Sequence, residues 1–261
     1  MINQTTPPVA PVQSFVLRPY YQDDRITIYH GDNRDLMRMI EAESIDTTVT
    51  SPPYNFGGFH RTTKTKQGRS VRNLAYKSWS DDMEPKEYAC FVAAVMLALY
   101  RVTKPNGSLW WNYKGRYENN VYQSPHWVEQ YTPFDLRQDV IWRYPSGPDV
   151  ALDKFHPKVE HVFWFSKGKP MMNPDMARIG NVWDINHSGG TSEHPAVFPA
   201  ELAKMCINAS TNEGELVCDP FMGSGTTLRA ALDLGRRAVG FEIEERYCEI
   251  AAKKLQQKVL W

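Results

Sequence analysis

Along the chain, short runs rich in β-branched and aromatic residues alternate with stretches whose apolar positions recur at helical spacing. This alternation predicts an α/β protein, with helices covering a largely parallel sheet. Ile26 to His30 reads as a strand ending at Gly31-Asp32, Asn33 to Glu43 as a helix, and Ile45 to Thr50 as the next strand. That strand runs into Ser51-Pro52-Pro53-Tyr54, through which neither a strand nor a helix continues.

The strongest periodic segment is Pro85 to Val102, where Tyr88, Phe91, Val92, Val95, Met96 and Leu99 share one helical face. Pro85 suits the first turn, and Lys104-Pro105-Asn106-Gly107 stops the helix. Ser108 to Tyr113, Asp139 to Tyr144 and Val159 to Ser166 read as strands. The C-terminal third reads as helix Pro199 to Ala209, strand Glu215 to Cys218, helix Thr226 to Leu234, strand Ala238 to Ile243 and helix Glu245 to Val259. Phe56 to Asp82 and Lys169 to His194 carry no clear period and are long enough to be functional loops.

Composition narrows the picture. The 261 residues fit one large domain, and 42% hydrophobic residues suffice for a substantial core. A pattern-free tail is expected over residues 1–20 and a single catalytic domain over 21–261, with insertions at about 56–82, 114–138 and 169–193. Thirty Lys+Arg balance thirty Asp+Glu, which excludes a general polycation but not a local basic patch. No apolar run reaches membrane-spanning length, and the N-terminus lacks signal-peptide character, so a cytoplasmic protein is expected. Cys90, Cys206, Cys218 and Cys248 form no closely spaced pair and each sits in an apolar stretch, so buried reduced thiols and no metal are expected.

Residues 215–227, ELVCDPFMGSGTT, give a strand, a glycine turn and a helix, which turns backbone N–H groups toward a ligand at the carboxyl edge of a sheet. A phosphate-binding P-loop needs a lysine before the Ser/Thr, but Thr226 follows Gly225 directly. A dinucleotide fingerprint needs a third glycine where Leu228 stands. A nucleoside without phosphates fits better, and Glu242, at the end of the next strand, can accept from both ribose hydroxyls. The same residues also fit a purely structural turn with Glu242 as a solvated helix cap.

In Ser51-Pro52-Pro53-Tyr54 the prolines lack N–H donors and leave carbonyls to accept hydrogen bonds. Ser51 adds an oxygen and Tyr54 a flat face, a combination suited to a planar ring bearing an NH₂ group. An ordinary proline-rich loop fits the four residues equally well when they are taken alone.

Together the two motifs resemble those of the amino-group DNA methyltransferases, which use S-adenosyl-L-methionine to methylate cytosine N4 or adenine N6. The matching segments are GDNRDLM (31–37), TSPPYN (50–55), VTKPNGSLWWN (102–112), VEHVFWFSKG (159–168), HPAVFP (194–199) and DPFMGSGTT (219–227). They span the chain from about Ile26 to its C-terminus, and chance does not supply six segments in order. With the catalytic motif ahead of the glycine motif, the chain is similar to the β arrangement of that family.

The resemblance implies an α/β, Rossmann-like S-adenosylmethionine-dependent methyltransferase fold: a mixed, mostly parallel seven-stranded sheet with helices on both faces. It implies that Asp219, Pro220, Phe221, Gly223, Ser224, Gly225 and Thr226 line the cofactor pocket, that Glu242 binds the ribose, and that Asp32 lies near the adenine. His194, Pro195, Phe198 and Pro199 would close over the methionine part, although His194 also reads as an ordinary helix-start residue. Many relatives have Lys-Pro where Phe198-Pro199 stands, so no lysine contact is carried over.

The catalytic group would be Ser51, Pro52, Pro53 and Tyr54. The amine is a poor nucleophile because its lone pair is delocalised into the ring. If Ser51 and the Pro52 carbonyl accept its two hydrogens, the nitrogen can pyramidalise and attack the sulfonium methyl in line. Methylation at cytosine C5 would need a nucleophilic cysteine, usually after a proline, and no cysteine here follows one. Relatives with Ser at this place are mostly cytosine-N4 enzymes, whereas Asp or Asn goes mostly with adenine N6, so cytosine N4 is the expected target. Double-stranded DNA with base flipping is implied, Tyr54 stacking on the extruded base.

Between residues 56 and 80, Arg61, Lys64, Lys66, Arg69, Arg72 and Lys77 stand without one acid, as expected of a loop that grips phosphates. Arg116, Tyr117, Tyr122, His126 and Trp127, with Lys169 to Glu193, could read bases or be ordinary surface. The resemblance also implies restriction-modification, with a cognate restriction endonuclease encoded separately, and leaves room for a homodimer. Alternatives are an adenine-N6 enzyme, a catalytically silent nucleic-acid-binding subunit, and methylation of a protein glutamine or an RNA base.

Overall fold

The computed structural model describes residues 17–55, 82–118, 121–144, 155, 157–186 and 199–256. The strands are β1 (Tyr21–Gln22), β2 (Ile26–His30), β3 (Ile45–Thr50), β4 (Thr103–Tyr113), β5 (Arg116–Glu118), β6 (Val121–Gln123), β7 (Asp135–Arg143), β8 (Val159–Ser166), β9 (Val182–Asp184), β10 (Leu216–Asp219) and β11 (Arg237–Glu242). The helices are α1 (Asn33–Met37), α2 (Pro85–Val102), α3 (Pro174–Ala177), α4 (Ala200–Ser210), α5 (Thr226–Asp233) and α6 (Glu245–Gln256), with a 3-10 helix η1 (Pro125–Tyr131).

One sheet organises the molecule, in the order β1-β2-β11-β10-β3-β4-β8-β7-β9. Strands β2, β11, β10, β3 and β4 run parallel, and β8 returns antiparallel between β4 and β7. The sheet therefore has nine strands where the sequence leads one to expect seven. The additional two are the short edge strands β1 and β9, whose two and three residues are too brief to show a period.

Helix α2 forms with the expected bounds, burying Tyr88, Phe91, Val92, Val95, Met96 and Leu99 against one face of the sheet with α1 and η1. Helices α4, α5 and α6 cover the other face through Leu202, Cys206, Ile207, Leu228, Ala231, Cys248 and Leu255. Trp110 and Trp164, on paired strands β4 and β8, stack with ring centroids 5.2 Å apart at 4°, and Trp110 donates its indole N–H to Ser210 Oγ at 2.9 Å.

Several expectations shift. Helix α1 ends at Met37 instead of Glu43, because Glu43 adopts a left-handed φ of 55° and the intervening backbone closes as turns. Lys104 to Gly107 do stop α2, but as a bulge inside β4: Ile45 pairs with Thr103, and the next pairing joins Thr47 to Ser108. A Cβ on Gly107 would lie 2.6 Å from Thr103 Cγ2 and 2.9 Å from the Asp46 carbonyl, so the bulge requires glycine. Strand β7 begins at Asp135, four residues early, paired to β8. The stretch from Lys169 holds α3 and β9. Cys90 is exposed on the solvent side of α2, whereas Cys206, Cys218 and Cys248 are buried. Among the described residues no helix is long and apolar enough to cross a membrane.

The amphipathic face of α2 makes the first prediction. Leu99→Ala, fully buried, should lower unfolding free energy by about 2–5 kcal/mol. Leu97→Ala, 61% exposed two residues away, should change it by no more than about 0.5 kcal/mol. Chemical denaturation of the two variants measures the difference.

Candidate active site

The parallel strands deliver their C-terminal ends to one edge. Pairing sets Glu242 beside His30, Asp219 beside Gly240, Cys218 beside Thr48 and Thr50 beside Trp111. Asp32, the glycine turn, Ser51-Tyr54 and Asn112 thus emerge side by side.

Asp219 ends β10 fully within the protein. Its Oδ1 accepts from Thr50 Oγ1 at 2.7 Å and from the Phe221 N–H at 3.0 Å. Burial pushes its carboxyl up to about 6, against the donors that favour the charged form. Its carboxylate therefore braces the turn and the neighbouring strand rather than standing open toward a ligand. Gly223 and Gly225 have φ of 49° and 80°, a left-handed backbone that glycine alone adopts freely. A Cβ on Gly225 would lie 2.9 Å from Ala251 Cβ, so α6 also requires that glycine. Pro220 and Ser224 bond to flanking elements: Asn33 Nδ2 donates to the Pro220 carbonyl at 2.8 Å and Lys254 Nζ to Ser224 Oγ at 3.2 Å. Thr226 opens α5.

Glu242 closes the loop from the next strand. It accepts from the N–H of Gly223 at 2.9 Å and of Glu244 at 2.9 Å, one on each oxygen. Burial pushes its carboxyl up to about 7; Asp219 and Glu244 add to the rise, and the two N–H donors oppose it. Asp32 caps α1 and is held by Arg34, whose guanidinium lies 2.5 Å from Oδ2 and keeps the carboxyl below its ordinary range.

These residues fit a nucleoside. The left-handed Gly223 and Gly225 keep the turn tight, and each oxygen of Glu242 retains a lone pair for a hydroxyl donor. Asn33 Oδ1 is buried beside the turn with no hydrogen-bond partner among the described residues.

Ser51 to Tyr54 leave β3 next door. The Pro53 carbonyl accepts from Tyr88 of α2 at 2.5 Å. Asn55 then reverses the chain with φ 56°, its side-chain amide bonded to both the N–H and the carbonyl of Met83. Ser51 Oγ donates to the Tyr54 hydroxyl at 3.0 Å. That hydroxyl, with one proton, faces Asn112 Oδ1 at 2.9 Å and Glu160 Oε2 at 3.2 Å. The Tyr54 ring lies 4.9 Å from that of Tyr113.

Glu160, Asn112 and Lys114 were not singled out by sequence. Glu160 is buried at the start of β8, which raises its carboxyl, and Lys114 at 3.8 Å partly opposes the rise. An acid inside the apolar run VEHVFWFS was the available signal, but a single acid in a strand ordinarily faces water.

Other expected residues scatter. Arg116 donates to the Asn55 carbonyl at 2.5 Å, so it supports the turn after Tyr54, while Tyr117 and Tyr122 are exposed on the β5–β6 hairpin. Trp127 is half-buried, packed against Tyr88 and Tyr113 beside the core. His126 bonds Glu129 and Asp139. Pro199 is the N-cap of α4. Arg61, Lys64, Lys66, Arg69, Arg72, Lys77, His194, Pro195 and Phe198 lie outside the described residues.

Thr50 carries the second prediction. Thr50→Val keeps the shape but leaves Asp219 without one buried donor, and should destabilise the protein by about 1–3 kcal/mol in denaturant titrations. An unchanged midpoint and slope would show that the Thr50 bond contributes nothing to joining the two strand ends.

Residues 45–253 match a family described as DNA methylase. The type II methyltransferase M.ScaI of Streptomyces caespitosus is 27% identical over 95% of this chain and 87% of its own length. The type II methyltransferase M2.DpnII of Streptococcus pneumoniae is 27% identical over 92% of each. In fold, a PvuII DNA methyltransferase described as cytosine-N4-specific superposes with TM-score 0.72 at 23% identity, covering 93% of this chain and 90% of that one. M1.HpyAVI in complex with its cofactor superposes with TM-score 0.62 at 20% identity, over 89% of this chain and all of that one.

Proposed function

The chain belongs to the DNA methylase family, and from that premise we propose that its target is the N4 amine of a cytosine flipped out of double-stranded DNA. It is an S-adenosyl-L-methionine-dependent enzyme that methylates an exocyclic amine of a DNA base. The observation that carries the site assignment is the bond from Thr50, which precedes Ser51, to Asp219 of the glycine turn, because it holds side by side the two loops to which this reading assigns the amine and the cofactor.

In this reading the cofactor supplies an electrophilic methyl group on a sulfonium. Asp32, Glu242 and Asn33 hold its nucleoside, while Pro220 to Thr226 shape the cradle beneath it. His194, Pro195, Phe198 and Pro199 are assigned to its methionine end by the resemblance alone. Ser51 Oγ and the Pro52 carbonyl accept the two amine hydrogens; the Pro53 carbonyl is already engaged by Tyr88. Tyr54 has two roles: its ring borders the base, and its hydroxyl, anchored on Asn112 and Glu160, fixes Ser51. Support for cytosine over adenine comes from Ser51 heading the motif and from the fold likeness to a cytosine-N4-specific enzyme. The basic segment with Arg61, Lys64, Lys66, Arg69, Arg72 and Lys77 is assigned to the DNA phosphates, and a separately encoded restriction endonuclease is the natural partner of such an activity.

Digestion of methylated DNA to nucleosides, followed by mass spectrometry, tests the target: N4-methylcytosine is expected, and N6-methyladenine would overturn the assignment. Ser51→Ala should slow single-turnover methyl transfer by about a hundredfold or more while cofactor affinity stays near normal. Near-normal rates in that variant would remove Ser51 from the chemistry.

Glu242 makes cofactor binding pH-dependent. Its folded-state value, raised from 4.5 to about 7, means that protonation competes with acceptance from the ribose near neutrality. The raised value also means that the ligand-free protein loses stability from this group as pH rises from 4.5 toward 7. Cofactor affinity should weaken roughly tenfold from about pH 8 to about pH 6, and Glu242→Gln should bind weakly with that dependence abolished. Calorimetry at both pH values measures this.

A further inference from the structure

On the α2 side of the sheet, His126 of η1, Asp139 of β7 and His161 of β8 converge. Asp139 Oδ2 lies 2.8 Å from His161 Nδ1 and 3.3 Å from His126 Nε2, and the three ligand atoms all lie within 4.8 Å of one another. Asp139 and His161 are diagonal neighbours on adjacent strands, Asp139 pairing with Phe163 and His161 with Ile141, so the sheet itself fixes their approach. The Phe163 ring underlies the cluster, stacked on His161 at 5.7 Å and edge-on to His126 at 5.0 Å.

His126 is the informative member. Its Nδ1 lies 2.6 Å from Glu129 Oε1 while its Nε2 faces Asp139. Glu129 can accept the single N–H of a neutral imidazole at Nδ1, which leaves the Nε2 lone pair aimed at the cluster, where a carboxylate acceptor cannot satisfy it and a metal ion can. Glu129 on the far nitrogen is the carboxylate–histidine–metal pattern, which orients the ring and leaves the lone pair on the nitrogen facing the cluster. Charge points the same way. Two carboxylates meet two imidazoles, and among the described residues no lysine or arginine pairs with Asp139 or Glu129.

We propose that His126 Nε2, His161 Nδ1 and Asp139 Oδ2 form a binding site for a divalent transition-metal ion of the zinc or cobalt type. Metal–ligand bonds of about 2.0–2.1 Å in a tetrahedron place ligand atoms roughly 3.3 Å apart, a spacing that His126 Nε2 and Asp139 Oδ2 already have and that His161 Nδ1 reaches by drawing back from Asp139 by about half an ångström. Imidazole donors select such ions over magnesium or calcium, which take oxygen ligands. Three protein ligands leave the fourth position to water. The ion clips η1 to the β7–β8 pair, and β8 carries Glu160 to the methyl-transfer site from its opposite face. The ion itself takes no part in the methyl-transfer reaction.

The test uses the full chain carrying Cys90→Ser, so that the exposed thiol does not compete, after treatment with a chelator. Titration with Zn²⁺ by calorimetry, and with Co²⁺ by visible absorption, should show one saturable equivalent that excess Mg²⁺ does not displace. His126→Ala, His161→Ala and the isosteric Asp139→Asn should each weaken it at least tenfold, and Glu129→Gln by about tenfold. Circular dichroism and cofactor affinity establish that each variant is folded, and Asp139→Asn provides the test if a histidine variant is not. Binding that survives these substitutions, or no binding above the His126→Ala/His161→Ala double variant, would overturn the site.

Discussion

The hydrogen bond from Thr50 Oγ1 to Asp219 Oδ1 joins two strand ends that lie 169 residues apart in sequence. Both groups are buried, so neither can exchange its partner for water, and breaking the bond leaves a carboxylate already strained by burial. On one side of it the chain passes into Ser51-Pro52-Pro53-Tyr54; on the other it enters the glycine turn, whose Phe221 N–H shares the same carboxylate oxygen. Methyl transfer needs amine and methyl donor aligned to within a fraction of an ångström. In the proposed reading, a covalently remote but physically short connection between the two loops provides that alignment without relying on either loop's own stiffness.

Each loop is then braced from a different layer. Tyr88 of α2 holds the Pro53 carbonyl, and Asn55 pins the outgoing chain to Met83, so α2 supports the amine side. Asn33 of α1 holds Pro220, Gly225 packs on Ala251 of α6, and Glu242 of β11 receives the Gly223 N–H, so both helical layers support the cofactor side. The left-handed backbones at Asn55, Gly223 and Gly225 lie where the two loops turn at the carboxyl edge of the sheet.

The antiparallel return of β8 adds what the parallel strands cannot. Entering at the catalytic edge, it presents consecutive residues to opposite faces. Glu160 meets Tyr54 and Lys114 on one side, and His161 meets Asp139 and His126 on the other. One strand thus serves the reaction centre and the histidine cluster at once.

Periodicity alone placed α2, β2, β3 and β8 with their observed bounds, because each buries an unbroken pattern against the sheet. Ser51-Pro52-Pro53-Tyr54, the glycine turn and Glu242 were equally legible, since proline and left-handed glycine announce themselves locally and the spacing of a strand end is a local property. The resemblance to amino-group methyltransferases followed from those same residues. What sequence could not supply was every relation between strands distant in the chain. The edge strands β1 and β9 exist only because a neighbour pairs with them. The bulge at Lys104 to Gly107 comes from the register with β3, and the half-burial of Trp127 comes from Tyr88 and Tyr113 of two other elements. Glu160 looked like a solvated strand residue until β4 set Asn112 and Lys114 around it, and the environment of a titratable group is a sum over neighbours that only tertiary packing assembles.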